Sequence, residues 1–479
     1  MATAFGHVIA GEEVDSRDGA SFQDVDPWSR EPWAEVALGG VADAERAVAA
    51  ARAAFDEGPW PRMRHEERGA LLHRLADLIE ERADELAGAD LHDMGKPISE
   101  LHHRDVPRSA HNLRFFADHA RLATADAYPM GPTHHAYTRF APAGVVAAIA
   151  PWNFPLMLET WKVAPALAWG NTVVLKPAEQ SPASATILAR LAIEAGIPSG
   201  VLNVVHGYGP GSVGEALTTS PAVDRITFTG ESATGRAIMA AAAANLTPVS
   251  LELGGNGANV VFADCDLDVA VDWSIKAIFT NAGQVCLAGR RLFVQRPIHD
   301  EFLRRFAAAA EALVVGDPRE RATQIGPLAS EEHHGKVRSY LDGLDGQARL
   351  VTGGLGDGWV VRPTVLADVD PTARVFTEET FGPIVSVVAF DDEDEAVARA
   401  NDTPYGLNAM LFTESLSRAH RVAARLRAGT VWVNCFFIRD LRAPFGGVGL
   451  SGVGREGGDF SREFFTEPTA VVMSLGEGS

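Results

Sequence analysis

The spacing of apolar residues changes partway along this chain, and the change predicts its architecture. In 41–58, VADAERAVAAARAAFDEG, the residues Val41, Ala44, Val48, Ala51 and Phe55 recur at helical spacing, and Gly58 ends the run. In 71–88, LLHRLADLIEERADELAG, a second stripe holds Leu71, Leu75, Leu78, Ile79 and Leu86. The first hundred residues therefore read as helical, with faces that pack on the rest of the chain. From residue 144 the pattern is different. Short apolar runs bounded by turn residues appear at GVVAAIA (144–150), NTVVLK (171–176), VLNVV (201–205), RITF (225–228) and VSLEL (249–253), and each reads as a buried strand.

Helical stretches separate these runs. Ser181-Pro182 predicts a helix start, with a capping hydroxyl and a proline at the first position, and the helix ends at Gly196. HGYGPGSVGEAL and TGESATGRAIMAAAAA lead into two more. Strand and helix in regular alternation require crossovers and a parallel sheet, which is the α/β class. Ligands of such sheets bind outside the carboxyl ends of the strands.

Those ends carry Trp152 and Asn153, Lys176 and Glu179, Gly230 to Ser232, and Glu252 before Gly254-Gly255. The glycine-rich turns around Gly209 and Gly230 feed helix N-termini and suit an anion. Taken singly, each reads first as an ordinary tight turn. Glu179 at a strand end would accept both ribose hydroxyls and repel a 2′-phosphate, or else be a solvated loop residue. Glu252, embedded in apolar neighbours, reads equally as a general base with a raised pKa or as a buried partner of some Arg or Lys.

Length and charge narrow the class. A chain of 479 residues has room for roughly two to four domains. A net charge of −21 argues against a nucleic-acid partner. No apolar run reaches the roughly 20 residues that span a bilayer, and MATAFGHVIAGEEVDS lacks the pattern of a secretory signal. A cytoplasmic protein without a membrane partner is expected. Cys265, Cys286 and Cys435 form neither a disulfide framework nor a metal-ligand spacing, so no metal is expected. Cys286 sits in TNAGQVCLAG (280–289), with no second cysteine nearby and no histidine within ten residues. A lone cysteine ordinarily packs as a small hydrophobe.

Seven segments change that reading: PWNFP (151–155), KPAEQSP (176–182), FTGESATG (228–235), LELGG (251–255), GQVC (283–286), EETFGP (378–383) and PFGGVGLSGVGRE (444–456). In this order, over nearly the whole chain, they resemble the aldehyde dehydrogenase superfamily. The resemblance implies a Rossmann-like parallel-sheet NAD-binding domain (1–119 and 140–254), an α/β catalytic domain (255–463) and a small β oligomerisation arm (120–139 and 464–479). It implies a homodimer or homotetramer, with 464–475 adding a strand to a neighbouring chain. It makes Cys286 the nucleophile that forms a thiohemiacetal and then a thioester, and Glu252 the base that activates the hydrolytic water. Asn153 and the Cys286 N–H become oxyanion donors, and Lys162 and Glu456 a proton-relay pair. Cofactor contacts fall to Trp152, Lys176, Glu179, Gly209, Gly230, Ser232, Glu379 and Phe381. Cys265 and Cys435 remain packing residues. Two positions depart from the family: Glu231 stands where serine is common, and Asn256 where lysine is common.

For substrate, VWVNCFFIRDLRAPFGG (431–447) and RDVPRSAHNLRFFAD (104–118) resemble the branch acting on 2-hydroxymuconate and 2-aminomuconate 6-semialdehydes. Arg439 and Arg108 would then anchor a substrate carboxylate, Arg442 is a third candidate, and Phe437 and Phe445 line the pocket. Alternatively Arg439 pairs with Asp440 or another acid at the surface. Transfer of the acyl group to coenzyme A needs no hydrolytic base, so Glu252 weighs against it. Betaine aldehyde or a simple aliphatic or aromatic aldehyde is the alternative substrate class, and the arginines disfavour the cationic one. A non-catalytic structural protein of this fold is disfavoured by intact Cys286, Glu252 and Asn153.

Overall fold

The apolar runs between residues 144 and 253 form adjacent parallel strands in a computed structural model that describes residues 3–344 and 346–476. Across the sheet their order is Val249–Glu252, Arg225–Thr229, Val145–Ile149, Thr172–Lys176 and Leu202–Val204. The earliest of the five therefore lies between the second and the fourth. The chain order reverses at its carboxyl end, which is where a crevice opens in this architecture. Trp152 and Asn153 follow that strand directly.

Antiparallel strands complete the eight-stranded sheet: Gly452–Val453 beside Val249–Glu252, and His7–Ile9 with Glu12–Val14 at the far edge. The opening of the chain is thus strand rather than helix, since Thr3–Phe5, Ser21–Val25 and Pro32–Ala37 form a further small sheet. These strands are three to six residues long. His7–Ile9 pairs with Leu202–Val204, far away in sequence, so local periodicity carries no signal for it.

The helix Val41–Asp56 buries Ala44, Ala47, Val48 and Ala51. The stripe over 71–88 divides into His65–Glu81 and Ala83–Met94, interrupted at Arg82 (φ −108°, ψ 27°). Both halves keep their leucines in one core. The helix expected to start at Ser181-Pro182 runs from Ala183 to Glu194. Ser181 does not cap it; Asp93 Oδ2 accepts the Ala183 N–H at 3.0 Å, a cap supplied from another helix.

A second sheet has seven strands, in the order Arg349–Leu355, Val361–Ala367, Ile384–Phe390, Arg291–Gln295, Ala258–Val261, Asn408–Phe412 and Thr430–Val433. All neighbours are parallel except the first pair. Another three-stranded sheet joins Ala127–Pro129, His134–Pro142 and Thr466–Ser474. The last strand pairs within its own chain, and the expected arm residues 477–479 lie outside the described residues. Among the described residues no helix is long and apolar enough to cross a membrane.

Gly144, at the entry to the central strand, has φ +138°, and an added Cβ would lie 1.9 Å from Asp224 Oδ2. That carboxylate accepts the Val145 N–H at 2.7 Å and an Arg52 guanidinium. Gly144→Ala should therefore lower stability by about 2–4 kcal/mol through backbone strain and displacement of the half-buried Asp224 carboxylate. Urea unfolding measures it, and a midpoint equal to that of the parent protein would refute this account.

Candidate active site

Two elements bring the site together. The central strand ends in Pro151-Trp152-Asn153, and the helix Pro155–Ala168 begins with a proline suited to its first turn. On the other side the helix Leu267–Phe279 ends in a turn where Asn281 (φ 52°), Ala282 (φ 51°) and Gly283 (φ 70°) are left-handed in succession. Left-handed backbone costs a non-glycine residue roughly 1–2 kcal/mol, so the turn needs outside support. Asn281 Nδ2 donates to the Asn153 carbonyl at 2.8 Å. Gln284 Nε2 donates to Asn281 O at 3.2 Å, and Arg290 donates to the Gly283 and Val285 carbonyls at 2.7 and 2.8 Å. Gly283 is obligatory: a Cβ there would lie 2.2 Å from Gly382 O. The turn delivers Cys286.

Asn153 is held from both ends. Its Nδ2 donates to Gln284 O at 2.9 Å, and its carbonyl accepts from Lys96 Nζ at 3.0 Å. Lys96 is buried and paired with Asp105 at 2.5 Å, and Arg104 Nε donates to the other oxygen of Asp105 at 2.8 Å. Burial lowers the Lys96 pKa, with Asp105 opposing. Although burial pushes Asp105 up, Lys96 and Arg104 hold it below the usual carboxylate range.

Cys286 and Asn153, with Thr229 and Leu253, line two cavities at once, of about 170 Å³ and 230 Å³. The thiol is pushed up to about 12, first by burial and then by Glu379 and Glu252, with Arg290 opposing. It rests protonated and needs a base. Glu252 lines the 170 Å³ cavity with both carboxylate oxygens buried and free of hydrogen-bond partners. Burial, then Glu456, raises its pKa well above the ordinary value, against Lys162, Arg439 and Arg455. Among the described residues no Lys or Arg pairs with it, which removes the structural-partner reading. Gly446 (φ +144°) makes room, since a Cβ there would sit 2.6 Å from Glu252 Oε1. Glu456 lines the same cavity. Behind it stand Lys162 Nζ at 3.2 Å, Thr227 Oγ1 at 3.2 Å and Trp161 Nε1 at 2.5 Å.

The 230 Å³ cavity has an aromatic wall and a carboxylate. Trp152 and Phe381 meet edge to face at 5.4 Å, and the Phe381 carbonyl accepts from His333 Nε2 at 2.8 Å. Glu379 Oε1 accepts the Gly255 N–H at 3.0 Å and lies 3.6 Å from Arg290. Burial pushes Glu379 up to about 7, against Arg290. Gly254 allows this approach; its Cβ would fall 2.0 Å from Glu379 Oε2. Gly230 lines the cavity too. Glu231, which also lines the cavity, pairs with Lys336 at 2.9 Å. An aromatic slot, a carboxylate for hydroxyls and glycines for close approach fit the nicotinamide and ribose of a dinucleotide.

Other expected cofactor residues stand apart from this cavity. Lys176 donates to Pro177 O at 2.7 Å and lies 3.8 Å from Glu179. Neither lines the cavity, whereas the adjoining Gln180 does. Gly209 sits in the turn before Val213–Thr219, also outside it. The Ser232 hydroxyl donates to Leu450 O at 2.7 Å, and the residue lines neither cavity. Asn256 donates to Phe376 O at 2.9 Å.

The 170 Å³ cavity is lined by Phe437, Phe445, Trp161 and Met157, with Arg108 and Arg439 among them. The Arg439 guanidinium lies 3.8 Å from the Phe445 ring centre and 4.9 Å from that of Trp161. Its Nη2 is buried without a partner. Burial, then Arg108, pushes it down to about 10, so it stays charged at neutral pH. Asp440 pairs with Arg442 at 2.6 Å, and Arg442 is 75% exposed, outside the cavity. The surface pairing therefore belongs to Arg442, which does not line the cavity. Among the described residues no carboxylate pairs with Arg108. Arg104 also lines the cavity but is taken by Glu100 and Asp105. Cys265 and Cys435 line neither cavity.

Sequence reasoning passes over Arg290, His333, Lys336 and Lys96. None carries a local motif; each matters through contacts distant along the chain.

Comparisons with known proteins agree with this geometry. The model of the aldehyde dehydrogenase family matches residues 14–471. The 2-hydroxymuconic semialdehyde dehydrogenase of Pseudomonas sp. (strain CF600) is 49% identical, over 98% of this chain and 99% of that protein. The 2-aminomuconic 6-semialdehyde dehydrogenase of Pseudomonas sp. is 46% identical, over 99% of each. An NAD+ complex of aldehyde dehydrogenase from Bacillus cereus superimposes with a TM-score of 0.96 at 38% identity, covering 99% of this chain and 97% of that one. With the matching fold, the paired cavities and these relatives together, the chain belongs to the aldehyde dehydrogenase family.

Proposed function

We propose that this NAD-dependent aldehyde dehydrogenase oxidises a semialdehyde bearing a carboxylate several carbons from its aldehyde, of the 2-hydroxymuconate or 2-aminomuconate 6-semialdehyde kind. One observation carries the reading. Two guanidiniums without carboxylate partners among the described residues, Arg108 and Arg439, stand in the cavity that ends at Cys286. Burying unpaired charge is costly. A substrate carboxylate would offset that cost through paired charge-assisted hydrogen bonds and hold the aldehyde over the sulfur. The names of the two muconic relatives point the same way.

In this reading Glu252 takes the thiol proton and the Cys286 sulfur attacks the carbonyl carbon. Asn153 Nδ2 and the Cys286 N–H hold the oxyanion; losing one such donor costs about 2.7–4 kcal/mol. NAD, when bound, supplies the hydride acceptor. Glu456 with Lys162 carries the thiol proton onward, so that Glu252, deprotonated again, can accept a proton from the water that hydrolyses the thioester and release it by the same route. Trp152, Phe381, Glu379 and Gly230 hold the nicotinamide end. Lys176 and Glu179 hold the adenosine ribose, the Gly209 turn borders it, and the Ser232 backbone faces the pyrophosphate. Residues 1–119 and 140–254 serve as the cofactor domain and 255–463 as the catalytic domain. The three-stranded arm exposes Tyr128, Val472 and Met473, which supports a homodimer or homotetramer. All three cysteines are free, which suits a reducing cytoplasm.

Cys286→Ala should abolish aldehyde oxidation and leave NAD binding intact in titration calorimetry; residual turnover near the parent rate would end the nucleophile assignment. Glu252 must be deprotonated to act, so kcat should fall as pH drops through its raised pKa. Glu252→Gln should remove that limb and slow turnover by about 100-fold or more, and an unaltered pH profile would contradict its role. Arg439→Ala should raise KM for an anionic semialdehyde by roughly tenfold or more and hardly affect a neutral aldehyde of similar length. Equal changes for both would remove the anchoring idea.

A further inference from the structure

Arg108 poses a question that its own position does not answer: what aims a guanidinium that has no carboxylate partner? Asn112 lies one turn further along the helix Val106–Arg121, on the same face. It is 1% exposed. Its Nδ2 donates to Met157 O at 3.1 Å and to Thr160 Oγ1 at 3.2 Å, both on the helix Pro155–Ala168. The Thr160 hydroxyl donates to Leu156 O at 2.9 Å, so toward Asn112 it can only accept. A reversed amide would set oxygen against the Met157 carbonyl oxygen. The amide thus has one allowed orientation, with Oδ1 toward Arg108, whose Nε donates to it at 3.1 Å.

With Nε engaged, both terminal nitrogens of Arg108 are left for a ligand. The acids nearest in sequence, Glu100 and Asp105, are taken by Arg104. A carboxylate at position 112 would form an ion pair and consume the charge; an amide fixes direction and leaves the charge free.

We propose that Asn112 is a positioning residue for anionic substrates, orienting the Arg108 guanidinium without neutralising it. The proposal rests on the reading of Arg108 as a carboxylate anchor. It makes position 112 a determinant of the choice between anionic and neutral aldehydes, although the residue itself carries no charge.

The test compares 6-oxohexanoate with hexanal, equal in length and different in charge, as substrates of the full-length enzyme with NAD. Asn112→Asp should raise KM for 6-oxohexanoate by about tenfold or more, the size expected when a charged hydrogen bond is lost, with KM for hexanal and both kcat values within about threefold. Asn112→Leu should give a smaller rise with the same selectivity. Equal shifts for both aldehydes in both variants would mark a merely structural role and overturn the proposal. So would an unchanged 6-oxohexanoate KM in the two Asn112 variants beside a raised one in Arg108→Gln. If Arg108→Gln itself leaves that KM unchanged, the anchor reading fails, and this inference fails with it.

Discussion

The backbone carbonyl of Asn153 joins three remote parts of the chain. It accepts from Lys96 and from Asn281, one ahead of the helix that carries Arg108 and the other within the turn that delivers Cys286. Charge buried at such a point is stable only if every hydrogen-bonding group is met. Lys96 meets Asp105, the Asn153 carbonyl and, at 3.5 Å, the face of Phe154; Asp105 meets Lys96 and Arg104. Removing one partner of such a pair typically costs about 3–5 kcal/mol. The same contacts that hold the fold at this point also set the distance between the Asn153 amide and the cysteine turn.

Around that fixed frame the charges are kept deliberately incomplete. Among the described residues Glu252 has no hydrogen-bond partner, and the Nη2 of Arg439 has none either. Cys286 is held protonated and Arg439 charged, in a cavity walled by Phe437, Phe445 and Trp161. Lys96 and Asp105 meet directly; here opposite charges share a cavity without contact. Low dielectric makes each of them sensitive to whatever enters, which suits a site that must bind an anion and move protons in turn.

The two cavities divide the labour by position. Asn153, Thr229, Leu253 and Cys286 form the wall they share. On one side lie an aromatic slot and Glu379; on the other lie the arginines. Glycines at 254, 283 and 446 are what allow side chains and backbone to come so close, since a single added carbon at each would collide with Glu379, Gly382 or Glu252.

The five central strands are legible in the sequence because each is a short apolar run buried on both faces, and parallel order follows from the crossovers between them. The residues after those strands are legible for the same reason: chain order alone places them at one edge. The opening strands are not, because His7–Ile9 is strand only by pairing with Leu202–Val204. The cap of the helix Ala183–Glu194 is not either, because Asp93 provides it from another helix in place of the adjacent Ser181. The arginines show the difference most clearly. Composition and motif place Arg439 and Arg442 in the same loop, three residues apart and chemically alike. Only the folded chain decides that Asp440 takes Arg442 at the surface and leaves Arg439 facing Cys286 across an apolar cavity, because pairing and desolvation depend on distances that no linear order contains.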